Sequence, residues 1–195
     1  MNRSAAPPRS TTSTPARGLA RVFEARDART ERRLVEHARL RPGDSVLVLG
    51  AGTGTGVRAA GVMVPGGVAI GVDPSPDALR LCAASCPDLV DSGRVRLRTG
   101  TAARTGLSNA SVDAVLSTDT VHLWSDIATG FAELHRVLRP GGVLLLSVRR
   151  SLLGCKPLDL RLIARRAGFT EVIMRLGPPR LFSAAPFELL ARKPR

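Results

Sequence analysis

The run Val46-Leu47-Val48-Leu49 leads straight into Gly50-Ala51-Gly52-Thr53-Gly54-Thr55-Gly56. An apolar stretch between Gly43-Asp44 and a glycine cluster reads as a strand buried on both faces. Glycines 50, 52 and 54 lack Cβ, so the turn can take φ > 0 and a ligand can approach the main chain closely. Val57 to Met63 then reads as a short helix whose first turn offers unpaired N–H groups and a partial positive charge. The G-x-G-x-G spacing puts Thr55 where a dinucleotide fingerprint has its third glycine, and no G-K-[ST] follows, so this is not a Walker loop. Gly67 to Asp73 is a second buried strand ending in an acid, placed to accept from the two hydroxyls of a ribose. Loop and acid together point to a ligand with an adenosine half; a plain glycine-rich strand-to-helix turn is the competing reading.

A second group lies at the carboxyl end of a later strand, Ser111 to Ser117, where open α/β sheets bind ligands. Asp119, His122 and Trp124 cluster there. His122 is the candidate catalytic residue, as a general base or by orienting a substrate hydroxyl, against pocket lining as the plain alternative. Trp124 reads as packing. Arg149-Arg150, closing the apolar strand Gly142 to Val148, could hold a carboxylate or phosphate, or could be a solvated strand end.

Helices must position these strand ends. Leu19 to Ala38 reads as helical, with Thr30 as a possible N-cap, an apolar face of Leu34, Val35 and Ala38, and His37 at the surface or helix end. Ser75-Pro76-Asp77 starts a helix to about Cys86, with Pro87 just beyond. Val95 to Thr99 alternates with arginine like an edge strand. Asp126 caps Ile127 to Leu138, and Leu158 to Ala167 ends at Gly168. Phe169 to Leu176 and Pro186 to Arg192 are two final strands.

These segments resemble the class I S-adenosylmethionine-dependent methyltransferases, in particular the small-molecule "type 11" group. Leu40-Arg41-Pro42-Gly43-Asp44 with Val46 to Gly54 resembles the first motif of that family, and Val64 to Ser75 its second strand. Leu134-His135-Arg136-Val137-Leu138-Arg139-Pro140-Gly141-Gly142 resembles the turn before its fifth strand. The likeness runs from about Arg32 to Pro194. It implies a Rossmann-like α/β fold: a seven-stranded, mostly parallel sheet of order 3-2-1-4-5-7-6, an antiparallel C-terminal strand, and helices on both faces. It implies S-adenosylmethionine as cofactor. Gly50, Ala51, Gly52, Thr53 and Gly54 would border its methionyl part, Asp73 and Pro74 the ribose, and Thr101, Ala102 and Asp119 the adenine and sulfonium. It also makes His135 structural.

The sequence departs from the family at several positions. Thr101 stands for an Asp that contacts the adenine amino group, Gly106-Leu107 for Pro-Phe, and Asn109 for Asp. Val48 replaces an acid that helps hold the cofactor's ammonium. Two lost charged contacts keep a second reading open, a non-catalytic methyltransferase-like binding module. A third, an NAD(P)-dependent oxidoreductase, fits neither the glycine spacing nor the terminal hairpin. Only about nine residues, Arg149 to Pro157, join the fifth strand to its helix, which implies an open site without the lid that many relatives insert there.

With 195 residues and 44% hydrophobic composition, the chain can bury one full core. Residues 1–17, rich in Ser, Thr, Pro and Arg, read as a disordered tail. Residues 18–195 read as a single methyltransferase domain, with N-terminal helices at 18–40 and the cofactor-binding core at 41–195. No secretory or membrane-spanning run is present, and Cys82, Cys86 and Cys155 fit small packed residues in a reducing cytoplasm. The net charge of +13 admits a nucleic-acid partner, but all except Lys156 and Lys193 of the 29 basic residues are arginine. The arginines are dispersed, and without Tyr and with one Trp there is no base-stacking surface. A small-molecule acceptor is the expected partner; the sequence does not fix the oligomeric state.

Overall fold

The computed structural model describes residues 29–178 and 184–195. The expected tail at 1–17 and the first part of the 19–38 helix fall outside these residues. The seven strands are β1 (Ser45–Leu49), β2 (Val68–Asp73), β3 (Val95–Thr99), β4 (Val112–Thr118), β5 (Leu138–Val148), β6 (Thr170–Leu176) and β7 (Phe187–Arg192). They form one sheet in the order β3-β2-β1-β4-β5-β7-β6, as expected. Pairings from β3 across to β5 are parallel; β7 runs antiparallel to both β5 and β6. Strand order reverses between β1 and β4, so the crevice beyond their carboxyl ends is the topological switch point.

Strand alternation sorts the core into two layers. Val46 and Val48 face one side with Leu116 and Leu145, under the helix at 29–37 (α1) and α2 (Thr55–Met63). Leu47 and Leu49 face the other with Leu144 and Leu146, under Phe131 and Leu134 of α5 (Ile127–Val137) and Leu160 of α6 (Pro157–Arg166). Between β2 and β3 lie α3 (Pro76–Ser85) and α4 (Pro87–Asp91). Ser75 caps α3 by accepting from the Ala78 N–H at 3.3 Å, and Asp126 caps α5 by accepting from the Thr129 N–H at 2.8 Å.

Three expectations shift. Thr30 is not an N-cap: it is helical and buried within α1. Pro87 stops α3 and also starts α4, because a ring that cannot extend a helix fits the first position of the next. β5 begins at Leu138 rather than Gly142. Leu138 pairs with Val112, and the strand bulges before Val143 pairs with Ala114. Gly141, at φ 80°, makes the bulge possible. No helix among the described residues is long and apolar enough to cross a membrane.

Candidate functional site

The glycine loop is built for two different reasons. Gly50, Gly52 and Gly54 all hold positive φ, at 83, 49 and 89°. At Gly50 a Cβ would collide with Thr120 Cγ2, and at Gly54 it would lie 2.9 Å from Cys82 Cα. Those two glycines let the segment after β4 and α3 pack against the loop. At Gly52 a Cβ would meet nothing within 4 Å, so this is where the loop's main chain faces open space. The Gly52 N–H donates to Asp73 Oδ2 at 3.2 Å, and the Ser75 N–H donates to Asp73 Oδ1 at 2.9 Å. Asp73 is buried, yet each carboxylate oxygen keeps a lone pair for a further donor. The structure thus brings 50–54 and Asp73, with Pro74 beside it, to one edge.

The segment after β3 continues that edge. The Gly100 N–H donates to the Asp73 carbonyl at 3.2 Å, and Ala102 is buried while Thr101 is exposed. This segment is clamped from α5 by residues that sequence reasoning missed. Glu133 Oε1 accepts from the Thr105 N–H at 2.8 Å and from Thr105 Oγ1 at 2.6 Å. Arg136 binds Glu133 through Nε at 2.7 Å and donates to the Leu107 carbonyl at 2.7 Å. Burial pushes the Glu133 carboxyl up, but the bonds from Arg136 and Thr105 outweigh it and hold the group below the ordinary carboxylate range. The i, i+3 spacing of Glu133 and Arg136 was a legible signal; the segment that they reach across to was not.

At the end of β4, Ser117 Oγ donates to the Leu49 carbonyl at 2.9 Å, locking β4 to β1 beside the loop. Asp119, at φ 53°, turns its carboxylate to β5: Oδ2 pairs with Arg149 Nε at 2.7 Å and Oδ1 accepts from the Arg149 N–H at 2.6 Å. Arg149 is thus paired within the chain through Nε, while the Arg150 guanidinium stacks 5.5 Å from the Phe187 ring centre. Trp124 packs edge-on to Phe131 at 5.8 Å, and its indole N–H donates to Thr120 Oγ1 at 3.1 Å. His122 is exposed on the short turn Val121–Leu123 at the same end of the sheet. His135 packs edge-on to Phe169 at 5.1 Å, as a structural residue should.

Val48 is buried, in the same core layer as Leu34 and Val35 of α1. Glu31, Leu34, Val35 and Ala38 share one helix face by their i, i+3, i+4, i+7 spacing. An acid on an otherwise apolar face was the signal missed at Glu31. No group of three or more His, Cys, Asp or Glu residues suited to a metal ion occurs among the described residues.

A family profile described as "Methyltransferase domain" matches residues 47–146. An uncharacterized methyltransferase of Mycobacterium tuberculosis is 38% identical over 103 residues, which is 53% of this chain and 40% of that protein. An O-methyltransferase of Pyrenophora dematioidea is 31% identical over 114 residues, 57% of this chain and 43% of that protein. The chain thus spans less than half the length of these relatives. A SAM-dependent methyltransferase from Aquifex aeolicus superposes with a TM-score of 0.70 at 19% identity, covering 83% of this chain and 88% of that one. The profile begins inside β1, runs through the glycine loop and Asp73 and ends in β5, and by that match the chain belongs to the class I S-adenosylmethionine-dependent methyltransferases.

Proposed function

We propose that this chain binds S-adenosylmethionine and transfers its methyl group to a small-molecule acceptor. The observation that carries the reading is the open main chain at Gly52 held by hydrogen bond against the buried Asp73 carboxylate. A Cβ-free loop gives the methionyl part room, and a carboxylate with unused lone pairs suits a ribose diol. Ala102 packs into the core, and the exposed Thr101 beside it offers adenine a neutral contact in place of a charged one.

The cofactor supplies the activated methyl and its own leaving group, so the protein's task is proximity and in-line orientation of the acceptor. Residues beyond β4 and β5 border the acceptor side. His122 is the group there that could take the acceptor's proton as a general base. The Asp119–Arg149 pair fixes the backbone of that edge, and Asp119 borders the site by position with each carboxylate oxygen already accepting one bond from Arg149. The likeness to an O-methyltransferase favours an oxygen acceptor. A single domain over 18–195 and a cytoplasmic location complete the proposal.

Calorimetric titration with S-adenosylhomocysteine on wild type and Asp73→Ala tests it. Micromolar binding, weakened about tenfold or more by the substitution, is expected for loss of a charge-assisted contact. No heat and no thermal shift at millimolar ligand would overturn it and leave a non-catalytic binding module.

A further inference from the structure

The strand position that faces the methionyl end carries Val48, yet an acid reaches the same place from another element. A narrow cavity at the carboxyl ends of β1 and β4 is lined by Val48, Gly50, Gly56, Ser117 and Thr118, and by Glu31 of α1. Glu31 is the one charged side chain among its described lining residues. Its carboxylate hangs over the first turn of α2: Cδ and Oε2 both lie 3.4 Å from where a Cβ on Gly56 would be. Glycine at 56 therefore leaves the room in which the carboxylate sits. We propose that Glu31 holds the α-ammonium of S-adenosylmethionine, in place of the acid absent at position 48. This rests on the reading of the loop as a cofactor site.

Three observations bear on it. First, Asp73 is bonded at Gly52 while the Glu31 cavity lies against Gly50 and Gly56 on the β4 side, so a cofactor with its ribose on Asp73 would turn its amino-acid end there. An ammonium lodged beside Val48 would be costly to bury without an anionic partner. Second, the carboxylate is felt across the loop. Cys82, whose Sγ would lie 3.0 Å from a Cβ on Gly54, has its thiol pushed up to about 12, by burial first and then by Cys86, with smaller contributions from the charges of Glu31 and Asp73. Third, α1 is docked so as to hold Glu31 in position. Leu34 and Val35 are buried, and Arg33 pairs with the buried Glu188, which Arg175 also binds at 3.1 Å.

The test compares two ligands on wild type, Glu31→Gln and Glu31→Gln/Val48→Asp. S-adenosylhomocysteine carries the ammonium; 5′-methylthioadenosine keeps the adenosine and lacks the amino-acid end. Glu31→Gln is expected to weaken S-adenosylhomocysteine by about tenfold or more, the size of one charge-assisted bond, while methylthioadenosine changes by less than about twofold. Adding Val48→Asp, which restores an acid on β1, is expected to recover most of the loss. Should the double variant not fold, the ligand comparison decides alone. An unchanged affinity for S-adenosylhomocysteine in Glu31→Gln overturns the assignment. So does an equal loss for both ligands, which would make Glu31 a support for the loop. Wild type binding neither ligand would sink the cofactor reading itself, and this assignment with it.

Discussion

Asp119 shows how one side chain can be read two ways until its partner is known. Its place after β4 resembles a cofactor contact, but each carboxylate oxygen already accepts a bond from Arg149, and the side chain is only 9% exposed. Asn tolerates the residue's φ of 53° better than most side chains, so Asp119→Asn removes the charge without adding backbone strain. The variant is expected to lose about 1–2 kcal/mol in urea unfolding, because a partly buried guanidinium is left without its anion. Its affinity for S-adenosylhomocysteine should stay within about threefold of wild type if the carboxylate serves Arg149 alone. A tenfold loss would return Asp119 to the ligand.

At the scale of elements, strands were the most legible part. Runs such as Val46 to Leu49 and Val143 to Val148 are apolar almost without break because both faces are covered, and glycine, proline or a charged residue bounds each one. The β5 bulge was hidden because Arg139-Pro140-Gly141-Gly142 reads as a turn, and only register against Val112 reveals pairing before it. In the candidate site, loop and Asp73 were legible because each closes an apolar strand. Glu31 and Glu133 were not, because a lone acid on a helix does not name the segment it faces. The Glu133 clamp has a pH signature. Its folded pKa lies below the ordinary value, so its contribution is complete above the unfolded pKa of about 4.3 and is lost as pH falls through the folded one. Unfolding curves of wild type and Glu133→Gln should therefore differ by a constant amount well above the unfolded pKa and converge only as pH falls through the lower folded one. Curves separated equally at all pH values would show that the carboxylate's charge contributes nothing.

For the whole molecule, the question is what a net charge of +13 does. Some of the arginines are paired: Arg58 with Asp88, Arg139 with Asp113, Arg192 with Glu171. These paired arginines lie on α2, on β5 and on β7, and along the sequence the basic residues are dispersed rather than gathered in one block. Such a surface attracts polyanions weakly and through counterion release alone, so affinity should fall steeply with salt. The proposed cofactor site works differently: Asp73 is buried, and buried contacts are screened much less than exposed ones. Between about 50 and 300 mM salt, affinity for a random-sequence RNA or DNA duplex should fall at least about a hundredfold, while that for S-adenosylhomocysteine should change by less than about threefold. Tight nucleic-acid binding that persists at the higher salt would require directed base or sugar contacts. The acceptor would then have to be sought among RNAs rather than small molecules, and the scattered arginines would count as a binding surface instead of a compositional bias.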